Sequence, residues 1–328
     1  MTKPTLKFTM TAALLFLPAM AEAQAVDLTP YSGRILSDPE FLPLAGQIYG
    51  TSAYTHGWVS GNSVDYLGVE TSTFNINTNT LDQMLAYGIT DDVSVNASMQ
   101  YVPANYREAD RINGTTAYFE SSGFSDPTFG LTWRAIDQGV YPVNLDLFGS
   151  YTPDWISAHT STAFQDGTVA RGGNAGVIGA AVGYVTPGFS IRGAFDANFL
   201  GDANVVNLTT GDTVQSAAHT NYNLSLETQT RLNDLFSINA GVAQTFASST
   251  SGTNLTTGAL QASEPGDVTA LQFGLNYSLV PEAFVLSATY AHDFYGDSRY
   301  SYSNPIFDSE TRNKNGDIVG IKLYYATP

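Results

Sequence analysis

Apolar and polar residues alternate along most of this chain in segments of about ten residues, which is the repeat of a β-strand with one apolar face. The segment from Asn221 to Thr228 is the clearest copy, because Tyr222, Leu224 and Leu226 share one face and polar residues occupy the other. The connections between successive segments alternate between short turns and long polar loops. This order of connections is typical of a closed barrel in an outer membrane, with short turns on one side and long loops on the other.

The pattern predicts an all-β fold, a single transmembrane antiparallel up-and-down β-barrel of about 12 strands, with roughly 10 to 14 compatible with the sequence. The second segment changes the parity of its apolar residues between Phe74 and Leu81, which predicts a bulge or an extended loop. The predicted strands lie near 47–58, within 69–89, and near 93–101, 126–136, 143–151, 175–185, 189–199, 221–232, 236–246, 269–280, 284–294 and 318–325. Long polar loops are predicted near 103–123, 153–173, 201–218, 248–266 and 297–315.

The first residues have the order of an export signal. Lys3 and Lys7 form a basic start, Met10 to Met20 is apolar but too short to span a bilayer, and small residues near Ala23 offer a cleavage site. We therefore expect a signal peptide over 1–25, a proline-containing lead-in over 26–44 and the barrel over 45–328. The lead-in is predicted to be periplasmic, and its insertion into the barrel mouth is left open.

Composition narrows the class of protein. The net charge of −17 disfavours a nucleic-acid partner. Cysteine is absent, so there is no disulfide framework and no thiolate metal site. No loop has the spacing of a calcium site, and we expect no metal and no cofactor. After the signal, no apolar stretch is long enough for an ordinary membrane helix.

Two segments resemble a known group of barrels. Tyr87 to Val95 reads YGITDDVSV and Gly123 to Arg134 reads GFSDPTFGLTWR. These two segments are similar to segments of Gram-negative outer-membrane barrels that are regarded as transporters. Those barrels include the family named for the MetA pathway of phenol degradation. The last strand also resembles the terminal signal that the outer-membrane assembly machinery recognises, except that Ala326, Thr327 and Pro328 follow its aromatic residue. The resemblance implies a barrel fold and leaves the solute open.

Ten charged residues fall on the predicted inward face of the strands. They are Asp82, Asp126, Arg134, Asp146, Arg192, Asp196, Glu227, Arg231, Asp293 and Lys322. One interpretation makes them a lumen lining that sets ion preference. The other makes them salt bridges that fill and stiffen the barrel, with Arg134 paired to Asp146 and Arg192 to Asp196.

Barrel size favours a narrow passage. Twelve strands give a backbone radius of roughly 12 Å and leave an opening of order 10 Å inside the side chains. We therefore expect a channel for small polar or amphiphilic solutes in the cell outer membrane. A closed structural or surface-binding barrel acting through its extracellular loops is the alternative, and a lipid hydrolase is less favoured because His56 lacks the neighbouring serine of such enzymes and no Gly-x-Ser-x-Gly occurs. The expected partners are outer-membrane lipid, lipopolysaccharide, the assembly machinery and an unknown small solute.

Overall fold

The computed structural model describes residues 35–111, 114, 116–160, 167–208, 210–280 and 282–327. The predicted signal peptide over 1–25 lies outside these residues. Within them the chain forms twenty strands: β1 (Ile48–Asp65), β2 (Glu70–Gly88), β3 (Val93–Arg111), β4 (Thr116–Phe124), β5 (Thr128–Ile136), β6 (Asn144–Thr152), β7 (Ala158–Thr160), β8 (Gly167–Thr168), β9 (Ala175–Thr186), β10 (Phe189–Leu200), β11 (Ala203–Asn207), β12 (Thr213–Ser216), β13 (His219–Arg231), β14 (Phe236–Phe246), β15 (Thr250–Asn254), β16 (Leu260–Glu264), β17 (Val268–Val280), β18 (Phe284–Tyr295), β19 (Ser298–Tyr302) and β20 (Ser309–Ala326).

Twelve of these strands close into one antiparallel ring. Its order is β1, β2, β3, β5, β6, β9, β10, β13, β14, β17, β18 and β20, and β20 pairs back onto β1. Closure gives every strand two neighbours, so the ring has no open edge. The predicted twelve-stranded all-β barrel is confirmed. No helix in the described part of the chain combines the length and apolarity needed to cross a membrane.

Connections divide the barrel into two ends. The connections β2–β3, β5–β6, β9–β10, β13–β14 and β17–β18 are short and lie at what we call the short-turn end, together with the start of β1 and the end of β20. The other connections of the ring lie at the opposite, long-loop end. The predicted alternation of short and long connections is therefore present.

The outer wall of the ring is apolar. Phe195, Phe273 and Leu275 lie on outward faces and are about half exposed, at 51%, 54% and 48%. Such exposure of large apolar side chains is unfavourable in water and suits a lipid-facing wall. At the seam where the ring closes, Gly50 pairs with Tyr325, and a Cβ atom at Gly50 would lie only 2.5 Å from the tyrosine ring. The glycine therefore leaves room for an aromatic ring over the seam.

The long loops were predicted without regular structure, and this was wrong for much of their length. β3 continues to Arg111, and β4, β7, β8, β11, β12, β15, β16 and β19 pair with one another or with β3 and β20 beyond the ring. These strands form a second tier at the long-loop end. The outward face of a strand above the membrane meets water instead of lipid, so backbone pairing continues where the apolar–polar alternation has stopped.

The predicted irregularity of the second segment is a register shift between Asn79 and Leu81, where Thr80 of β2 faces Val102 and Pro103 of β3. β2 itself runs unbroken from Glu70 to Gly88. The parity change has a separate cause, since Phe74 is 4% exposed and faces inward, whereas Leu81 is 45% exposed on the outer wall.

Candidate functional site

Residues 35–44, which we call the plug segment, cross the interior of the barrel at the short-turn end. At one side Leu36 packs against Val285 and Tyr324, on β18 and β20. At the other side Glu40 reaches Arg134 of β5 and Arg192 of β10. These strands lie on opposite sides of the ring, so the segment spans the lumen between them.

The Glu40 carboxylate holds the plug segment to a buried group of charges. Glu40, Arg134, Asp146 and Arg192 form what we call the charge cluster. Glu40 lies 3.5 Å from each arginine, and Arg134 is bound to Asp146 at 2.9 Å. The side chains of Glu40, Arg134 and Asp146 are 2 to 6% exposed, and that of Arg192 is 22% exposed. Two acids and two bases balance the formal charge of the cluster.

Hydrogen bonds fix the position of Glu40 further. Asn144 donates from Nδ2 to Glu40 Oε2 at 2.8 Å, and Arg134 donates to the Glu40 carbonyl at 2.9 Å. Arg192 donates to the Pro39 carbonyl at 2.7 Å. The barrel wall therefore binds both the side chain and the backbone of the plug segment.

A glycine in β9 makes room for Glu40. A Cβ atom at Gly183 would lie 1.9 Å from Glu40 Cδ, well inside van der Waals contact. Because Glu40 is held by Asn144 and two arginines, it has no freedom to move aside. Gly183 is thus matched to the docked plug segment.

Burial also affects the acids of the plug segment. Burial raises the pKa of the Glu40 carboxyl, and the hydrogen bond from Asn144 and the charges of Arg192 and Arg134 only partly offset this. Burial likewise raises the pKa of Asp38, whose carboxylate accepts a hydrogen bond from the Glu40 amide at 2.8 Å. The docked segment therefore favours the protonated form of both acids more than water does.

Neutral polar groups hold the remainder of the segment. Ser37 donates to Gln229 Oε1 at 3.2 Å, and Asn276 donates to the same oxygen at 3.3 Å. Tyr49 donates from its hydroxyl to the Leu36 carbonyl at 3.2 Å. The wall residues that make these contacts lie on strands from β13 round to β1. The wall around the plug segment is therefore polar except for the apolar cluster at Leu36.

Three predicted lumen residues lie on the inner wall of other strands. Lys322 of β20 is near enough to Glu227 of β13 and Asp82 of β2 for their charges to act on it. β13 and β20 are not neighbours in the ring, so this interaction passes through the lumen. Asp82 accepts a hydrogen bond from Gln100 at 2.8 Å and borders a cavity of about 240 Å³ with Thr51, Ser98 and Asp126.

Four other predicted residues are engaged locally. Asp126 is 6% exposed and accepts the backbone amides of Trp155 and Ile156 at 2.8 and 2.7 Å, so it anchors the connection after β6. Asp293 accepts a hydrogen bond from Tyr295, and Asp196 accepts one from Asn223 at 2.7 Å. Arg231 binds Asp234 at 3.0 Å in the short turn that follows it.

The structure joins some predicted pairs and not others. Arg134 and Asp146 form the expected pair. The pairing of Arg192 with Asp196 was wrong, because Arg192 turns toward Glu40 and lies 3.7 Å from Asp146. Sequence reasoning missed Glu40 because the lead-in has no periodicity to give it a face. No imbalance of charge pointed to it either, because Arg134 faces Asp146 and Arg192 faces Glu227 across neighbouring strands.

Comparisons with known proteins give a fold and no family. No protein-family model matches the chain, and no curated protein does. Among solved structures, an outer-membrane channel from Pseudomonas putida superposes with a TM-score of 0.59 at 13% identity, covering 89% of this chain and 98% of that one. The chain has the fold of an outer-membrane channel barrel. The narrower resemblance to the family of the phenol-degradation pathway stays a prediction.

Two further structures are more distant. The transport unit of the autotransporter AIDA-I from Escherichia coli gives a TM-score of 0.48 at 12% identity, with 95% of this chain and 97% of that one covered. The translocator domain of the autotransporter NalP from Neisseria meningitidis gives 0.45 at 12% identity, with 96% and 95% covered. Neither likeness is strong enough to add to the argument.

Proposed function

We propose that this protein is an outer-membrane channel that passes small polar or amphiphilic solutes. One observation carries the proposal: a single closed ring presents an apolar wall outward and polar and charged side chains inward. A soluble barrel would not expose a large apolar wall to water. Glu227 on the inward face is exposed, whereas a charge that only fills and stiffens the barrel would be buried in an ion pair. The fold shared with an outer-membrane channel supports the same function.

In this proposal the short-turn end faces the periplasm and the second tier faces outside, as in other bacterial barrels. The plug segment closes the periplasmic mouth in the state described here. Water can replace the polar and ionic contacts between the plug segment and the wall, whereas it cannot replace apolar packing. Conduction then requires residues 35–44 to leave their place or to shift within it.

The wall above the plug segment is proposed to be the solute-facing lining. Glu227 is exposed on the inward parity of β13, and Lys322 and Asp82 complete a group of two acids and one base. A lining with acidic excess favours cations over anions. Arg134, Asp146 and Arg192 serve to hold the plug segment, so their proposed role differs from that of Glu227.

Recording in planar lipid bilayers tests the proposal. The purified barrel is expected to give discrete conductance steps that depend on salt concentration. Absence of steps over several voltages and salts, with the protein inserted, would refute the channel.

A charge reversal tests the lining separately. Glu227→Lys should shift the reversal potential in a salt gradient toward anions, because it replaces an acid by a base in the proposed path. Arg231→Gln is the matched control on the same strand, since Arg231 is bound to Asp234 in the turn. Equal reversal potentials in Glu227→Lys and wild type would remove Glu227 from the lining.

A closed surface-binding barrel is the second candidate. The second tier favours it, because paired strands give the long-loop end a firm outer surface. This candidate predicts no conductance even after the plug segment is removed. We propose no enzymatic activity.

A further inference from the structure

Asp317 carries a carboxylate on the apolar outer wall. On β5, β6, β9, β10, β13, β14 and β17 the outward positions carry no charged residue. On β20, however, Asp317 shares the outward face with Val319 and Ile321, which are 40% and 58% exposed. A charge facing lipid is unfavourable deep in the bilayer and costs little near its interface. The depth of Asp317 in the bilayer and its contacts therefore have to be accounted for.

Asp317 is the centre of a network across three strands. Tyr290 of β18 donates its hydroxyl to Asp317 Oδ1 at 2.6 Å, and His292 Nδ1 lies 2.7 Å from the same oxygen. Trp58 of β1 also donates to this carboxylate. We call His56, Trp58, Tyr290, His292 and Asp317 the outer-wall cluster.

The second histidine of the cluster is oriented in a similar way. His56 Nδ1 lies 3.0 Å from Asn79 Oδ1, and Tyr54 donates to that oxygen at 2.8 Å. The His56 ring lies 5.6 Å from the Trp58 ring. Because the Nδ1 atoms of both His56 and His292 are engaged, the Nε2 atom of each is the nitrogen that a ligand can meet.

The height of the cluster places it at one edge of the apolar wall. His56 and His292 each stand eight residues from the short-turn end of their strand. At the rise and tilt of barrel strands this is roughly 20 Å, close to the far edge of an apolar band of about 25 Å. If the barrel has the proposed orientation, the cluster meets the headgroups of the outer leaflet.

The groups exposed there match one kind of headgroup. Trp58 and Tyr290 are each 40% exposed and offer aromatic faces, on which a sugar ring can stack. Two imidazole nitrogens can donate to phosphate or hydroxyl oxygens. Exposed Val319 and Ile321 continue below the cluster along β20, where acyl chains would lie. We propose that the outer-wall cluster binds the phosphorylated sugar headgroup of an outer-leaflet glycolipid of the lipid A class.

The proposal rests on the proposed outer-membrane function, and native mass spectrometry of the full chain in detergent tests it with lipid A as the probe. Wild type should retain one lipid A molecule, and His56→Phe/His292→Phe should bind it at least about tenfold more weakly, because hydrogen bonds to a charged group are lost. Gln244→Leu is the control, since Gln244 is an outward polar residue on β14, away from the cluster. Its binding should equal that of wild type.

The remaining outcomes decide against the inference. Equal lipid A binding by wild type and the double histidine variant would overturn it, as would equal retention of phosphatidylglycerol, which carries a phosphate without the sugar. A dimer in wild type that the double variant loses, without lipid A, would assign the cluster to a second copy of the chain. Bilayer conductance of the same preparations separates the two proposals, because channel steps with no lipid A binding reject the glycolipid site alone, and lipid A binding without steps rejects the channel alone.

Discussion

At the scale of single residues, the state of the barrel mouth depends on how Glu40 is held. Each of two arginines approaches its carboxylate to 3.5 Å, Asn144 donates to Oε2 and Arg134 donates to the carbonyl oxygen, while the buried Oε1 accepts no hydrogen bond from the described residues. A buried ion pair of this kind gives less stability than its short distances suggest, because both charges lose their water. The ion pairs therefore hold the plug segment only weakly in its docked position. The raised pKa of Glu40 agrees with this.

The pH dependence of docking follows from Asp38 and Glu40. The pKa of each is raised by burial, so docking is strongest below their ordinary values of 3.8 and 4.5 and weakens as the pH rises through the raised values. Channel opening, recorded in bilayers, should increase from about pH 4 toward neutrality. Asp38→Asn/Glu40→Gln keeps both positions neutral and should flatten this rise. A wild-type channel that closes as the pH increases over this range would contradict the assignment.

Gly183 offers a test by addition of one methyl group. Gly183→Ala places Cβ 1.9 Å from Glu40 Cδ, so the plug segment should undock and the open fraction in bilayer recordings should increase several-fold. Gly176→Ala on the same strand is the control, because its Cβ would meet its nearest neighbour, the Ser150 carbonyl, at an ordinary 3.5 Å. Equal open fractions for the two alanine variants would show that Gly183 does not matter to docking.

Residues of the site were predictable only where a strand fixed their direction. Arg134 and Asp146 face each other across β5 and β6, so parity alone predicted their contact. Arg192 and Asp196 share one strand, and parity could not say that Arg192 would turn to a third partner. Glu40 lies outside any strand, and only the folded chain brings it to the arginines.

At the scale of elements, the plug segment and β13 are joined by Ser37 and Gln229. The chain has no cysteine, so Ser37→Cys/Gln229→Cys introduces the only two thiols. The 3.2 Å contact between the two side chains predicts that a short bis-methanethiosulfonate cross-linker will join the two cysteines, with each thiolate displacing a sulfinate to form a disulfide, and will hold the channel closed. Reduction of a cleavable linker should restore conduction. Ser37→Cys alone, treated in the same way, should conduct as before, and a linked double variant that still conducts would show that the segment is not the gate.

The hairpins of the ring were the most predictable elements, since one apolar face and a short turn define each. β10 was predicted to within one residue at each end, and β14 was predicted over its full observed range. β1 and β3 extend well beyond their predicted ends because their outer halves leave the apolar belt and lose their pattern. The second tier escaped prediction for the same physical reason.

At the scale of the whole molecule, one ring separates two environments. The outer wall meets lipid and the inner wall carries the plug segment, the charge cluster and the group around Lys322. Period-two alternation fixes this separation, so the barrel could be derived from sequence. The identity of the solute could not, because it depends on side chains from non-adjacent strands and on the path that opens when the plug segment moves.

Single-channel recording of wild type beside a variant lacking residues 35–44 tests the central claim most directly. Both proteins should be confirmed as folded barrels by their heat-modifiable migration on gels. Wild type is expected to open in brief steps, and the deletion variant is expected to stay open with a larger mean conductance. A folded, inserted deletion variant that gives no conductance would show that the barrel is closed by more than its plug and is not a channel.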